Sequence, residues 1–277
     1  IIIFIIYLRL INYIYSMKLS VDHLILRAIR CLKNGNYSEA RELYLSILRE
    51  FPNNKRAKKG LDTVNNSLKL NPTSEQLNSL VSAYTQGRLQ DVVSQGTNLL
   101  SSFPGNIKLL NILGSANLEL GRLDEAIGYY RGAIQLKPDY AEAYNNLGVA
   151  LQNKNNHDEA VRQCKQAIDL NPEYAEAYYN LANSLKALDD VPGAIINYKR
   201  ALKLKDDYVE AYNNLGIVLR LEGALKESIE SLDRAITIRP GFSLAYHNLS
   251  NTLQDTGDIE LSISKDCDAL RINPNYR

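Results

Sequence analysis

Residues 141–174 read AEAYNNLGVALQNKNNHDEAVRQCKQAIDLNPEY, and the stretches on either side repeat this one in outline. Pro104, Pro138 and Pro172 are 34 residues apart, and Pro240 and Pro274 continue the series, with Asp206 in the slot between. Tyr144, Tyr178, Tyr212 and Tyr246 keep that spacing, as do Leu113, Leu147, Leu181, Leu215 and Leu249. Gly114, Gly148 and Gly216 follow those leucines, with Ala182 and Ser250 in the same column. Ala126, Ala160 and Ala194 align with Ser228 and Ser262, and Ala133, Ala167, Ala201, Ala235 and Ala269 form another column. A period shared by so many columns marks a repeat architecture.

The regular units are 107–140, 141–174, 175–208, 209–242 and 243–276. Unit 73–106 precedes them; it keeps Gly87 and Pro104 but has Val92 and Gly96 in the alanine and aromatic slots. Six consecutive units thus fill 73–277. Earlier, residues 21–54 keep Gly35, Ala40, Tyr44 and Pro52 at the expected offsets, making 17–54 a first helix pair. Pro52 and Pro104 are 52 residues apart, so 55–72 breaks the period and is expected to be a basic, largely solvated helix or linker. Residues 1–16 are almost wholly Ile, Tyr, Leu, Phe and Asn, too short to span a bilayer comfortably. They read first as upstream sequence translated ahead of Met17, the one methionine; a membrane anchor and a packed helix are the alternatives.

Numbering each unit 1 to 34, positions 4, 7, 8 and 11 fall on one helical arc and positions 2, 5, 6, 9, 12 and 13 on the opposite one. In the unit from 141 the first arc is Tyr144, Leu147, Gly148 and Leu151, which packs. Asn155-Asn156 breaks the helix, and Asp158 and Glu159 suit the start of a second one. That helix buries Ala160, Cys164 and Ala167 and stops at Asn171-Pro172. One such hairpin cannot bury its apolar face alone, so the hairpins stack.

These columns resemble the tetratricopeptide repeat over about residues 21–276. The resemblance implies an all-α, right-handed superhelical solenoid of antiparallel helix pairs whose first helices line a concave groove for a protein or peptide segment. The chain departs from the pattern at Asn117, Asp206 and Asp266, the last placing a charge in the packing slot of the final helix.

Composition narrows the function. Net charge is +1, without the basic excess of a nucleic-acid binder, so no nucleic-acid partner is expected. Cys31, Cys164 and Cys267 lie far apart, without metal-ligand spacing. They read as free thiols filling packing slots in a reducing compartment, hence a cytoplasmic protein with no membrane partner. No phosphate-cradling loop or nucleophile elbow occurs. His23, His157 and His247 fall in different units, His157 in an exposed turn. The chain is expected to bind without catalysing, and to use no cofactor or metal.

The face opposite the packing arc carries the candidate site. Position 6 reads Asn146, Asn180, Asn214 and Asn248; position 5 adds Asn111, Asn145 and Asn213, and position 9 adds Asn183 and Asn251. An amide both donates and accepts, so such a row can grip a peptide backbone whatever its side chains. The row is similar to the asparagine ladder in the repeat arm of O-linked N-acetylglucosamine transferases. Tyr179 and His247 interrupt it and can stack on a ligand. Asn at this slot also suits hydrogen bonds between adjacent helices, and both readings stand. Glu142, Glu176 and Glu210 at position 2 are either first-turn acids or an acidic edge of the groove. Another mode of the family clamps a C-terminal carboxylate with Lys at position 5. Here position 5 is Ile25, Leu77, Asn111, Asn145, Tyr179, Asn213 or His247, which excludes it. A second functional reading is a substrate-recognition arm, as in bacterial repeat proteins fused to a glycosyl-, sulfo- or methyltransferase domain, with that domain beyond Arg277.

Overall fold

The computed structural model describes residues 21–34 and 36–274, so the expectation for residues 1–16 lies outside it. Helix α1 covers residues 21–33. It is followed by α2 (Tyr37–Glu50), α3 (Lys55–Leu70), α4 (Ser74–Thr85), α5 (Leu89–Ser102), α6 (Ile107–Glu119), α7 (Leu123–Leu136) and α8 (Ala141–Asn153). Then come α9 (His157–Leu170), α10 (Ala175–Ala187), α11 (Val191–Leu204), α12 (Val209–Leu221), α13 (Leu225–Ile238), α14 (Ser243–Thr256) and α15 (Ile259–Ile272). No strand occurs among the described residues. They divide into two compact units, residues 21–82 with 98–106, and residues 83–97 with 107–274.

In the larger unit each first helix pairs with its own second helix, and each second helix packs on the next first helix. First helices of successive hairpins also meet, as α8 does α10 and α12 does α14. A first helix is therefore covered on more than one side, which a two-arc reading of the wheel misses. Positions 3 and 10 are as buried as position 7: Ala143, Ala177, Ala211 and Ala245, and Ala150, Ser184, Val218 and Thr252, are each 0% exposed. Position 4, assigned to the core arc, holds half-buried tyrosines.

The turn inside each hairpin is set by one backbone position. Position 15 has positive φ in Gly87, Gly121, Gly223 and Gly257, and also in Asn155 (φ 60°) and Asp189 (φ 63°). Asn and Asp are the non-glycine residues that best tolerate this left-handed conformation. The next N–H then reaches back five residues, as Asn156 to the Leu151 carbonyl at 2.8 Å and Asp190 to Leu185 at 2.9 Å, closing a Schellman cap. Second helices start on side-chain caps at Asn156, Asp190 and Asp258.

Position 8 is small because position 24 lies over it. A Cβ on Gly114 would meet the Tyr130 ring at 2.6 Å, one on Gly148 the Cys164 Sγ at 2.7 Å, and one on Gly216 the Leu232 Cγ at 2.5 Å. We expect Gly148→Leu to overpack this contact and cost about 1–3 kcal/mol in a denaturant titration; an unchanged midpoint would refute the packing.

Departures from the repeat pattern are absorbed locally. Buried Asn117 turns its amide to the Leu113 carbonyl at 2.8 Å. Asp206 replaces proline without altering the turn, since Lys205 N–H still caps Ala201 O at 2.9 Å. Asp266 stays half-buried and pairs with His247 Nδ1 at 3.2 Å. Of the cysteines, Cys164 is a core residue whose thiol burial pushes up to about 12, whereas Cys267 is exposed and fills no packing slot. His157 is half-buried at the start of α9, not simply exposed.

In the smaller unit α3 is not a solvated helix. Ala57 and Val64 are 0% exposed and join Ile25, Ala28, Ala40, Tyr44 and Ile47, with Leu61 packed alongside. Gly60 admits the Tyr44 ring, which a Cβ there would meet at 2.3 Å. Continuing the 34-residue period from 21, Ala57, Leu61 and Val64 are positions 3, 7 and 10, the buried positions of a first helix. Lys55, Arg56, Lys58 and Lys59 are exposed on its outer face. The chain then starts a new helix at Ser74, where Thr73 and Gln76 form a reciprocal capping box at 2.9 and 3.2 Å.

Candidate functional site

The asparagines of the larger unit are held in place by one another. Asn180 Nδ2 donates to Asn145 Oδ1 at 2.9 Å, Asn145 Nδ2 to Asn146 Oδ1 at 3.4 Å, and Asn146 Nδ2 to Asn111 Oδ1 at 3.2 Å. Asn111 Nδ2 donates in turn to Glu142 Oε1 at 2.7 Å. All four donors point along one chain of amides that ends on a carboxylate, so each bond polarises the next. A second chain runs from Asn248 Nδ2 to Asn213 Oδ1 at 2.8 Å and from Asn213 Nδ2 to Asn214 Oδ1 at 3.1 Å. Asn214 Nδ2 then donates to the Tyr179 hydroxyl at 3.2 Å and to Asn183 Oδ1 at 3.1 Å. The two chains do not join because position 5 of the unit from 175 is Tyr179, not an amide.

The rule behind both chains is that position 6 donates back to position 5 of the preceding unit, 35 residues earlier. Position 5 is accordingly no open face: Asn145 and Asn213 are each 5% exposed. Position 6 stays half-buried, as do Asn111, Asn183 and Asn251. Each amide has two N–H donors and an oxygen that accepts twice. After these bonds Asn146, Asn180 and Asn248 each retain an N–H, and no side-chain donor occupies Asn180 Oδ1 or Asn248 Oδ1 among the described residues.

The two aromatic interruptions are held from within. Tyr179 lies 4.8 Å from the Tyr208 ring and 5.9 Å from that of Tyr198, and burial pushes its hydroxyl up. Tyr198 OH donates to Asn183 Oδ1 at 2.6 Å. His247 has Asp266 on Nδ1 and Asn251 on Nε2 at 3.1 Å, so both ring nitrogens are engaged.

The position 2 acids are engaged too. Glu142 accepts from Asn111 and from the Tyr140 hydroxyl at 3.1 Å. Glu176 faces Lys205 at 3.5 Å and Glu210 faces Arg239 at 2.7 Å. Burial raises the Glu210 carboxyl, but hydrogen bonds from its own backbone and Arg239 outweigh that and hold it below its ordinary value. These acids fasten helix starts to the preceding or following loop; they do not form an unpaired edge.

Position 12 bonds to the following unit. Gln152 Nε2 donates to the Asn180 carbonyl at 2.5 Å and to Ser184 Oγ at 2.6 Å, and Arg220 pairs with Asp255 at 3.1 Å. Among the described residues there is no group of three His, Cys, Asp or Glu that could hold a metal, and no helix long and apolar enough to cross a membrane.

A row of helix hairpins with their first helices side by side defines a helical-repeat protein. Models of the TPR or tetratricopeptide repeat match residues 24–54, 114–155, 141–174, 164–195, 183–221 and 209–242, together more than half of the sequence. The chain belongs to the tetratricopeptide repeat family. Among solved structures, MamA is 27% identical at a TM-score of 0.54, over 58% of this chain and 95% of that one. YrrB, described as a TPR protein with an unusual peptide-binding site, is 22% identical at a TM-score of 0.54, covering 65% and 93%. A tetratricopeptide repeat protein from Parabacteroides merdae ATCC 43184 is 17% identical at a TM-score of 0.58, covering 92% and 94%. The last two show likeness of fold alone. No curated protein sequence matches the chain.

Proposed function

We propose that the chain is a protein-interaction scaffold that acts by binding, and that it holds an extended peptide along the first-helix face of α6, α8, α10, α12 and α14. Membership of the repeat family and the likeness to MamA support the scaffold. The peptide reading rests chiefly on one observation: Asn146, Asn180 and Asn248 keep a donor each while the amide chains fix their orientation. Donors already oriented lose little entropy on binding, so backbone hydrogen bonds to a peptide become favourable. The net charge of +1 supports a protein segment over nucleic acid.

The test is to select peptides from a random display library on the full chain and to follow side-chain amide resonances as one is added. The expected result is that Asn146, Asn180 and Asn248 shift while buried Asn145 and Asn213 move less. Shifts confined to residues of the second helices would refute the assignment.

A further inference from the structure

On the first-helix face of α6 to α14, half-buried charges are matched within the chain with one exception. Glu176, Glu210, Arg220 and His247 all have the partners described above. Lys186 is half-buried, and neither an ion pair nor a hydrogen bond reaches its ammonium among the described residues. Burial lowers its tendency to hold a proton, as expected for a cation whose lost hydration nothing replaces.

The repeat explains why. Position 12 reaches forward to positions 10 and 13 of the next unit: Gln152 finds Ser184, and Arg220 finds Asp255. At the positions that correspond to Ser184 and Asp255 in the unit after Lys186 stand Val218, which is 0% exposed, and Leu221, which is 61% exposed. Both polar acceptors have been replaced by apolar side chains. The negative end of α10 favours a cation in its last turn, which accounts for the sign of the charge but supplies no counter-ion.

We propose that Lys186 reads an acidic side chain of the bound peptide, an Asp or Glu whose carboxylate completes the pair while a neighbouring apolar side chain covers Leu221. This rests on the peptide reading above and names the chemistry of the segment: extended, with an acidic and an apolar residue side by side. A strongly basic segment is disfavoured at this point, since it would bring a second cation to one already poorly hydrated.

The test uses the full chain, Lys186→Met and Lys186→Glu, each panned against the same random peptide library. The wild type is expected to enrich Asp or Glu at one fixed position next to an apolar residue. The best such peptide should bind Lys186→Met about tenfold more weakly, the usual scale for a charge-assisted hydrogen bond. Lys186→Glu should instead enrich Lys or Arg at that position. Identical peptides from all three proteins would overturn the role of Lys186 and leave the peptide face standing. No enrichment on any of them would overturn both.

Discussion

Replacing Asn146, Asn180 and Asn214 together by alanine is expected to lower the stability of the larger unit by about 3–5 kcal/mol. The ligand-gripping reading of the row alone predicts weaker binding with stability intact, whereas the reading of Asn as a link between adjacent helices predicts a loss of stability. The geometry removes six hydrogen bonds at once: Asn146 with Asn111 and Asn145, Asn180 with Asn145, and Asn214 with Asn213, Tyr179 and Asn183. Solvent can replace some of these at half-buried positions, so the net loss per bond stays near or below about 1 kcal/mol. Asn145 is different. It is 5% exposed and loses one partner of its amide nitrogen and the side-chain donor to its oxygen, which adds the cost of a buried acceptor left unpaired. Asn248→Ala breaks one side-chain amide bond, that to Asn213, and should cost about 0.5–1.5 kcal/mol. Denaturant midpoints of the two variants check the ordering. If the triple variant unfolds at the wild-type midpoint, the amide chains contribute nothing to stability and the amides are free for solvent.

This result also marks how far the sequence could be read. The fold was legible because a buried column repeats with the hairpin, and Leu147, Gly148, Ala160 and Ala167 recur at 34 residues whatever lies between them. Helix α3 escaped because the columns that announce a repeat are tyrosine, glycine and proline. It keeps the buried ones, Ala57, Leu61 and Val64, under a run of lysines. The asparagine columns of the candidate site were legible for the same reason as the fold. Their bonding was not, because each rung joins residues 35 apart, one more than the period, on helices whose relative rotation a wheel does not give. A sequence signal did exist: an Asn pair at positions 5 and 6 followed by Asn at position 6 of the next unit, as in Asn145-Asn146 with Asn180 and Asn213-Asn214 with Asn248. What distinguishes Lys186 from Arg220 at the same position is the apolar character of Val218 and Leu221 a whole unit away.

Tyr198→Ala should be the most damaging single change, at about 3–5 kcal/mol, because it empties a fully buried position and cuts a link to the amide network. Its ring is 0% exposed and packs among Ala182, Ala194, Leu202, Ala211 and Leu215. Those neighbours belong to three helices, α10, α11 and α12, two of them in one hairpin and the third in the next. The alanines cannot collapse into the space, since each has only a methyl group to offer. The hydroxyl holds Asn183, which in turn accepts from Asn214, so core and face share this residue. Tyr198→Phe separates the two contributions: it keeps the ring and should cost only about 0.5–1.5 kcal/mol for the hydrogen bond. Because a stack of hairpins is stabilised by each unit and each neighbouring interface, the loss at α10, α11 and α12 should be local. Amide hydrogen exchange is therefore expected to accelerate from α10 to α15, with α6 and α7 keeping their protection. Uniform acceleration over α6 to α15 would mean that the units unfold as one block, and the nearest-neighbour picture of this stack would have to be abandoned.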